Sequence, residues 1–245
     1  TTEVTQGEEE GDPDTYTHTF DTLTLGAIGD KVYLRGVNPT GFLEIENQKL
    51  SLFSMTGKIA AGGNAQSLVD GDTPTLVAKT MPMFSDRMMT GTQSDVLVST
   101  PSIPATTLAD SCYYGMFSGC TGLTQAPSLP ATTLARGCYG EMFGGCTGLT
   151  QAPALPATTL AEYCYSYMFS GCTGFTQAPA LPATTLADGC YGEMFGGCTF
   201  DMSDDGTTFN FQCNATLPQT VGDDTFSTPA ELAAWMGNTN GFTEP

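Results

Sequence analysis

Basic residues are scarce in this chain. Seven Lys and Arg stand against 26 Asp and Glu in 245 residues, for a formal net charge of −19. A body this acidic repels phosphate backbones and anionic membrane surfaces, which argues against nucleic acid as a partner. Histidine occurs once, as His18. Ser-His-Asp and Cys-His sites need an imidazole, and no nucleophile or orienting group can be placed beside this one. An ordinary surface or half-buried residue is the expectation, so no catalytic residue and no enzyme activity are expected. No apolar run approaches the ~18 residues of a membrane helix, so no transmembrane segment is expected within this chain. No signal peptide is present and the first residue is Thr1, which reads as the start of a mature or trimmed chain.

What the chain has in abundance is repetition. Units begin at Ile103, Leu129, Leu155 and Leu181, a period of 26 residues, each close to L-P-A-T-T-L-A-x-x-C-Y-x-x-M-F-x-G-C-T-G-L-T-Q-A-P-x. So short a unit cannot enclose a core alone and must bury its apolar residues against its neighbours. The recurring apolar positions are Leu108, Leu134, Leu160 and Leu186; the Met-Phe pairs from Met116-Phe117 to Met194-Phe195; and Leu123, Leu149 and Phe175. Stacked at the ~4.8 Å of paired strands, they become ladders. The C-Y-x-x-M-F-x-G-C run has near-helical spacing and predicts a single helical turn on the face opposite a short strand. The fold class expected is mainly β with short helical turns: a leucine-rich-repeat-like solenoid preceded by a small antiparallel β domain.

Around the repeats, residues 1–14 are acidic and nearly devoid of apolar side chains, so a disordered terminus or tether is expected. Residues 15–68 form the β domain, with strand candidates at Thr17 to Leu25, Lys31 to Gly36, Phe42 to Ile45 and Leu50 to Phe53, separated by Gly- and Asn-rich turns. Residues 69–102 read as a degenerate capping repeat, because Met83-Phe84-Ser85 echoes Met116-Phe117-Ser118 and Ser102-Ile103-Pro104 echoes Ser128-Leu129-Pro130. Residues 103–200 are the four repeats. Residues 201–245 form a C-terminal cap. Within it Thr228-Pro229-Ala230-Glu231 predicts a helix start with a capping box, and Gly237 a stop. Trp235 is expected to cover the far end of the stack.

Eight of the nine cysteines occupy two slots, 112/138/164/190 and 120/146/172/198. Zinc wants close pairs or nearby His, and the spacing of eight and eighteen supplies neither. Equivalent cysteines in adjacent turns come within bridging range, but parallel Cβ vectors oppose a bond, and Cys213 is odd in any full pairing. Bridges within one turn stay open. The favoured expectation is a small buried hydrophobe in a narrow slot, which makes the cysteines no argument for an oxidising compartment. No metal and no cofactor are expected.

The runs Cys120-Thr121-Gly122-Leu123-Thr124, Leu155-Pro156-Ala157-Thr158-Thr159-Leu160 and Cys164-Tyr165-Ser166-Tyr167-Met168-Phe169-Ser170-Gly171-Cys172 resemble the BspA-like leucine-rich-repeat family of surface proteins from anaerobic gut and oral bacteria. The resemblance covers about 100 residues strongly, and the segment from Asp30 to Asn64 more loosely. The period is longer than that of the shorter family unit, and Ala stands where a strand Ile or Leu is usual. The resemblance implies an exported outer-membrane lipoprotein at the cell surface, lipid-anchored through a removed N-terminal segment. It also implies, as for some members, adhesion to host or bacterial surface proteins. No family binding residue maps onto a position here.

The slots that vary between units point to an outer surface, since packing tolerates variation only where side chains face out. They are Asp110-Ser111, Arg136-Gly137, Glu162-Tyr163 and Asp188-Gly189, and then Tyr114-Gly115, Gly140-Glu141, Ser166-Tyr167 and Gly192-Glu193. The candidate binding surface is therefore Tyr114, Arg136, Glu141, Glu162, Tyr163, Tyr167 and Glu193, with exposed aromatics of the kind common in protein and glycan contacts. Scattered surface residues are the bland alternative. Glu141 and Glu193 as paired glycosidase carboxylates are less economical than charge on an exposed face. Asp201-Met202-Ser203-Asp204-Asp205-Gly206 opens like a calcium loop, but Gln212 stands where its bidentate Glu belongs, so a solvated turn is expected. The function expected is protein binding through the repeat surface by a monomer. A glycan-binding accessory role in polysaccharide uptake and a purely structural spacer are the alternatives.

Overall fold

The computed structural model describes residues 2–4, 31–34, 43–44, 49–50, 58–65, 95–200 and 213–237. His18, the segment from Thr17 to Leu25, the Met83-Phe84-Ser85 echo and the Asp201-to-Gly206 loop with Gln212 lie outside these residues. Strands are short: β1 (Thr2–Val4), β2 (Val32–Leu34), β3 (Leu43–Glu44), β4 (Lys49–Leu50), β5 (Ile59–Ala60), β6 (Leu97–Ser99), β7 (Gln219–Val221) and β8 (Asp224–Phe226). Among the described residues one helix, α1 (Pro229–Trp235), follows them.

Two features of the N-terminal region differ from expectation. Thr2–Val4, inside the stretch read as disordered, pairs with Val32–Leu34, and the pairing is parallel. A β-branched Thr and Val in three residues suit a strand better than the surrounding acids do. Among the described residues of this region, only β3 and β4 pair antiparallel. β5 does not belong with them: it runs parallel to β6, Asn64 bridges Ser102, and Ala65 lies in the core. The stack thus begins before residue 68, at residues 59–65.

Within residues 103–200 the units stack, and the ribbon that carries the ladder is neither helix nor strand. Along one unit, Cys112, Tyr114, Met116, Ser118 and Cys120 each donate their N–H three residues back, to Ala109, Ser111, Tyr113, Gly115 and Phe117. The intervening residues Ser111, Tyr113, Gly115, Phe117 and Gly119 donate sideways, to Arg136, Cys138, Gly140, Met142 and Gly144 of the next unit, at 2.7–2.9 Å. The result is a strip of overlapping β-turns whose N–H groups alternate between closing a turn and joining the neighbour. Every fourth residue has positive φ: Ser111, Gly115 and Gly119 at 53°, 61° and 80°, with the equivalent positions of the later units alike. A left-handed residue every four breaks any helix, which is why the near-helical spacing does not give a helical turn.

A four-residue period buries residues in adjacent pairs: Cys112-Tyr113, Met116-Phe117, then Cys120. The tyrosines Tyr113, Tyr139, Tyr165 and Tyr191 stack with ring centroids 5.8–5.9 Å apart. Phe117, Phe143, Phe169 and Phe195 stack at 5.6–6.1 Å. Each such pair is worth about 0.5–1.5 kcal/mol beyond its buried area. None of the nine cysteines is bridged. The second-slot thiols of Cys146, Cys172 and Cys198 donate to the carbonyls of Phe117, Phe143 and Phe169 in the preceding unit, at 3.0–3.2 Å.

The far end closes through α1. Thr228 and Glu231 form the capping box, and Leu232, Ala233 and Met236 are buried. Glu193 and Phe195, at the last edge of the ladder, donate to the carbonyls of Trp235 and Met236 at 2.9 and 2.7 Å. One contact satisfies two sets of orphans, the N–H groups of the last unit and the carbonyls of the helix C-terminus. Trp235 itself is half-buried, its ring 4.7 Å from that of Phe226. The fully covered side chain at this end is Met236.

Candidate interaction face

The outward positions of the turn ribbon form a grid of four rows. The first row reads Asp110, Ser111, Tyr114, Gly115, Ser118, Gly119. The second reads Arg136, Gly137, Gly140, Glu141, Gly144, Gly145. The third is Glu162, Tyr163, Ser166, Tyr167, Ser170, Gly171, and the fourth Asp188, Gly189, Gly192, Glu193, Gly196, Gly197. In the columns that begin at Ser111, Tyr114 and Ser118, a side chain alternates with glycine from row to row. A Cβ added to Gly140 would stand 2.9 Å from the Tyr114 ring, and one added to Gly189 only 2.2 Å from the Tyr163 ring. Each of these tyrosines covers the glycine that holds its own position in the next row. Tyr114, Tyr163 and Tyr167 remain 41, 44 and 46% exposed.

The structure gathers the seven candidate residues into separate groups. Arg136 links three rows: its backbone N–H donates to Asp110 Oδ1 at 3.1 Å, its Nε to Glu162 Oε2 at 3.1 Å, and its guanidinium lies 5.9 Å from the Tyr163 ring centroid. The ion pair is exposed and worth about 0–1 kcal/mol; its effect is to hold Arg136, Glu162 and Tyr163 in one arrangement. Glu141 and Tyr167 come together elsewhere, at a shallow depression of about 330 Å³ lined by Ser118, Gly119, Glu141, Gly144, Gly145, Tyr167 and Ser170. Gly144 and Gly145 form its floor because the second row is glycine there. Glu193 lies apart, its carboxylate over Gly196 and Gly237.

Sequence reasoning missed Ser118 and Ser170. Both hydroxyls donate to a carbonyl of the next unit, Ser118 to Gly144 at 3.3 Å and Ser170 to Gly196 at 3.2 Å. Their signal was the alternation Ser, Gly, Ser, Gly at positions 118, 144, 170 and 196.

Backbone conformation singles out the same face. Among the described residues, five other than glycine have positive φ, namely Ser111, Glu141, Tyr163, Tyr167 and Glu193, at 52–55°. All five stand in grid columns where other rows carry glycine. Holding a side chain in this region costs about 1 kcal/mol or more each, and glycine would remove the cost.

Among the described residues, no cluster of three or more His, Cys, Asp or Glu is placed to hold a metal ion. Burial pushes the thiols of Cys112, Cys164 and Cys198 up to about 12, which suppresses thiolate chemistry. No helix among the described residues is long and apolar enough to cross a membrane. Comparison of the chain with family models, with curated proteins and with solved structures finds no match.

Proposed function

We propose that this chain is a non-enzymatic interaction protein, displayed at a cell surface as a BspA-like leucine-rich-repeat solenoid, and that its four-row grid binds a protein partner. The observation that carries the proposal is the set of strained side chains. Glu141, Tyr163, Tyr167 and Glu193 hold left-handed backbone where glycine would be unstrained, and all four face outward or border the depression. Strain kept against an easy remedy marks residues whose side chains are used. The exposed tyrosines supply rigid amphipathic contact area of the kind enriched at protein interfaces.

A glycan fits less well. Sugar hydroxyls both donate and accept, whereas the backbone N–H of every residue lining the depression is already engaged within the ladder.

The test is binding of the fluorescently labelled chain to bacterial and host cell surfaces. Binding should vanish after protease treatment of the cells, survive glycosidase treatment, and fall at least about tenfold for Tyr163→Ser/Tyr167→Ser. Loss on glycan removal alone would favour the uptake role, and turnover of any glycan or peptide library would overturn the non-enzymatic assignment.

A further inference from the structure

All six charged residues of the repeats stand on the grid: Asp110, Arg136, Glu141, Glu162, Asp188 and Glu193. From Cys120 to Ala135, Cys146 to Ala161 and Cys172 to Ala187 there is no Asp, Glu, Lys or Arg. Part of this stretch alternates in burial as extended chain does. In the second unit Ser128 is exposed, Leu129 buried, Pro130 half-buried, Ala131 buried and Thr132 exposed, and the other three units alternate alike. The outward positions form three columns. The first is Ser or Ala, the middle one is Pro in every unit, and the third is Thr106, Thr132, Thr158 and Thr184. The C-terminal cap adds a fifth row: Cys213 bridges Leu181, Thr216 donates its N–H to the Thr184 carbonyl at 3.0 Å, and Asn214 and Thr216 are exposed.

The Thr column is exposed yet unvarying. On the grid, exposed positions change from unit to unit, whereas here Thr is kept in all four units and supplied again, as Thr216, by a segment outside the repeat. None of these five hydroxyls is hydrogen-bonded among the described residues. Two chains of net charge −19 repel wherever their carboxylates meet, and these columns carry none. The face also matches itself. A two-fold axis lying in it, parallel to the stack, sets the Thr column of one copy over the Ser/Ala column of the other, ridge into furrow, and Pro over Pro. The row spacing is shared, so each row meets its counterpart, and a hydroxyl both donates and accepts, as a self-complementary contact requires. We propose that this face is a homotypic contact, on which a second copy of the chain packs with its stack running in the same direction.

Size decides where such a contact operates. Five residues of extended chain span about 13 Å and five rows about 20–25 Å. That is an area of ~300 Å², against the ~800 Å² per partner of a stable complex. In free solution the pair is weak. Two copies tethered at the same end to one surface lie parallel and at high effective concentration, which is the arrangement the two-fold axis requires. The contact rests on the proposed surface display for its concentration and not on what the grid binds. No grid residue lies in the three columns, so both grids stay open to their partner.

The test uses the full chain in a Cys213→Ser background, held by an N-terminal hexahistidine tag on vesicles that contain a nickel-chelating lipid, and a short bis-maleimide cross-linker. Pro156→Cys should give a covalent dimer, because Pro156 faces its own equivalent. Ala154→Cys and Thr158→Cys should each stay monomeric alone, since in each case the two added thiols lie about 13 Å apart across the face, and should link when mixed on the same vesicles. Thr158→Glu added to Pro156→Cys should cut the dimer yield at least about tenfold, and Thr158→Ser should preserve it. Linking of Thr158→Cys to itself, an equal yield with Thr158→Glu, or a Pro156→Cys yield no higher than that of Asp223→Cys on the exposed β7–β8 turn would overturn the assignment. So would amide shifts at Thr132 and Thr158 on adding a soluble neutral glucan, with no dimer formed, which would make the face a polymer site. If the links form while the labelled chain binds no cell surface, the partner-binding function fails and the contact stands. If cells are bound and Pro156→Cys stays monomeric, the contact alone fails.

Discussion

The Tyr163 ring covers Gly189, the residue at its own position one unit on, so closely that a Cβ at Gly189 would stand 2.2 Å from Cδ1 and Cε1. The pair shows how a side chain as large as tyrosine fits a ladder of closely spaced rows: the next row yields its Cβ. It also ties a surface residue to a backbone requirement, since Gly189 has φ +58°.

Gly189→Ala should therefore destabilise the chain through two effects, left-handed strain and displacement of Tyr163. Gly137→Ala provides the comparison. It shares the φ of +58°, but its Cβ would meet only Ser111 Oγ, at 3.3 Å. Strain alone is worth about 1 kcal/mol, so Gly137→Ala should lower stability by that amount in urea unfolding. Gly189→Ala should lower it further and increase the solvent exposure of Tyr163. Equal midpoints for the two variants would show that the Tyr163 contact contributes nothing.

The opposite substitution separates folding from function. Glu141→Gly removes a carboxylate from a backbone with φ 53°. Relief of left-handed strain stabilises, while the added freedom of glycine in the unfolded chain costs about 0.5–1 kcal/mol. The net should lie between no change and a gain of about 1 kcal/mol, while partner binding falls. A loss of stability above about 1 kcal/mol would mean that Glu141 supports the fold and is not held there for a ligand.

Much of this was legible from the repeat. The period put Met116/Phe117 and its equivalents in register, and Thr228-Pro229-Ala230-Glu231 announced the helix that closes the end. The varying slots identified the outward face, including the three exposed tyrosines. The turn ribbon was not legible, because a four-residue period of buried pairs lies close to the 3.6 of a helix and only φ tells them apart. Gly115, Gly137 and Gly189 were its trace, glycines scattered through two columns that other units fill with Ser, Glu or Tyr. The buried Tyr column was overlooked for a simpler reason. Tyrosine alone does not declare which way it faces, although its presence after the first Cys of every unit was the clue. The depression was missed because it depends on which rows carry glycine in the column of Gly144, a property of neighbouring rows and not of any one unit.

The thiol rows predict a marked alkaline sensitivity. Burial raises Cys138, Cys146, Cys172 and Cys190, as it does Cys112, Cys164 and Cys198 at about 12. In the unfolded chain a thiol titrates near ~8.5. Between that pH and about 12, the unfolded state binds fewer protons than the folded one. The contribution is thus fully present below about pH 8.5 and is lost as pH rises. The urea midpoint should fall from pH 8 to pH 10.5, and iodoacetamide at pH 8 should label the eight repeat cysteines only when urea is present. A flat midpoint, or rapid labelling of the native chain, would contradict the buried thiols.

The closing helix gives the last test, because its cap and its end serve different partners. Glu231 N–H donates to Thr228 Oγ1 at 3.3 Å, and Glu231 Oε2 accepts from Thr228 and Ser227 N–H at 3.2 and 2.6 Å. Thr228→Ala breaks this box and should cost about 1 kcal/mol. The effect should not stay at the N-terminus of α1. Seven residues make a helix too short to persist without its cap, and its last carbonyls hold the N–H groups of Glu193 and Phe195. Opening of α1 frees exactly that edge of the ladder. Hydrogen exchange at Glu193 and Phe195 should therefore accelerate about fivefold for the loss of 1 kcal/mol, while Phe143, whose N–H is held by Met168 inside the stack, should change less. Unchanged exchange at Glu193 and Phe195 would mean that the ladder ends without help from the helix.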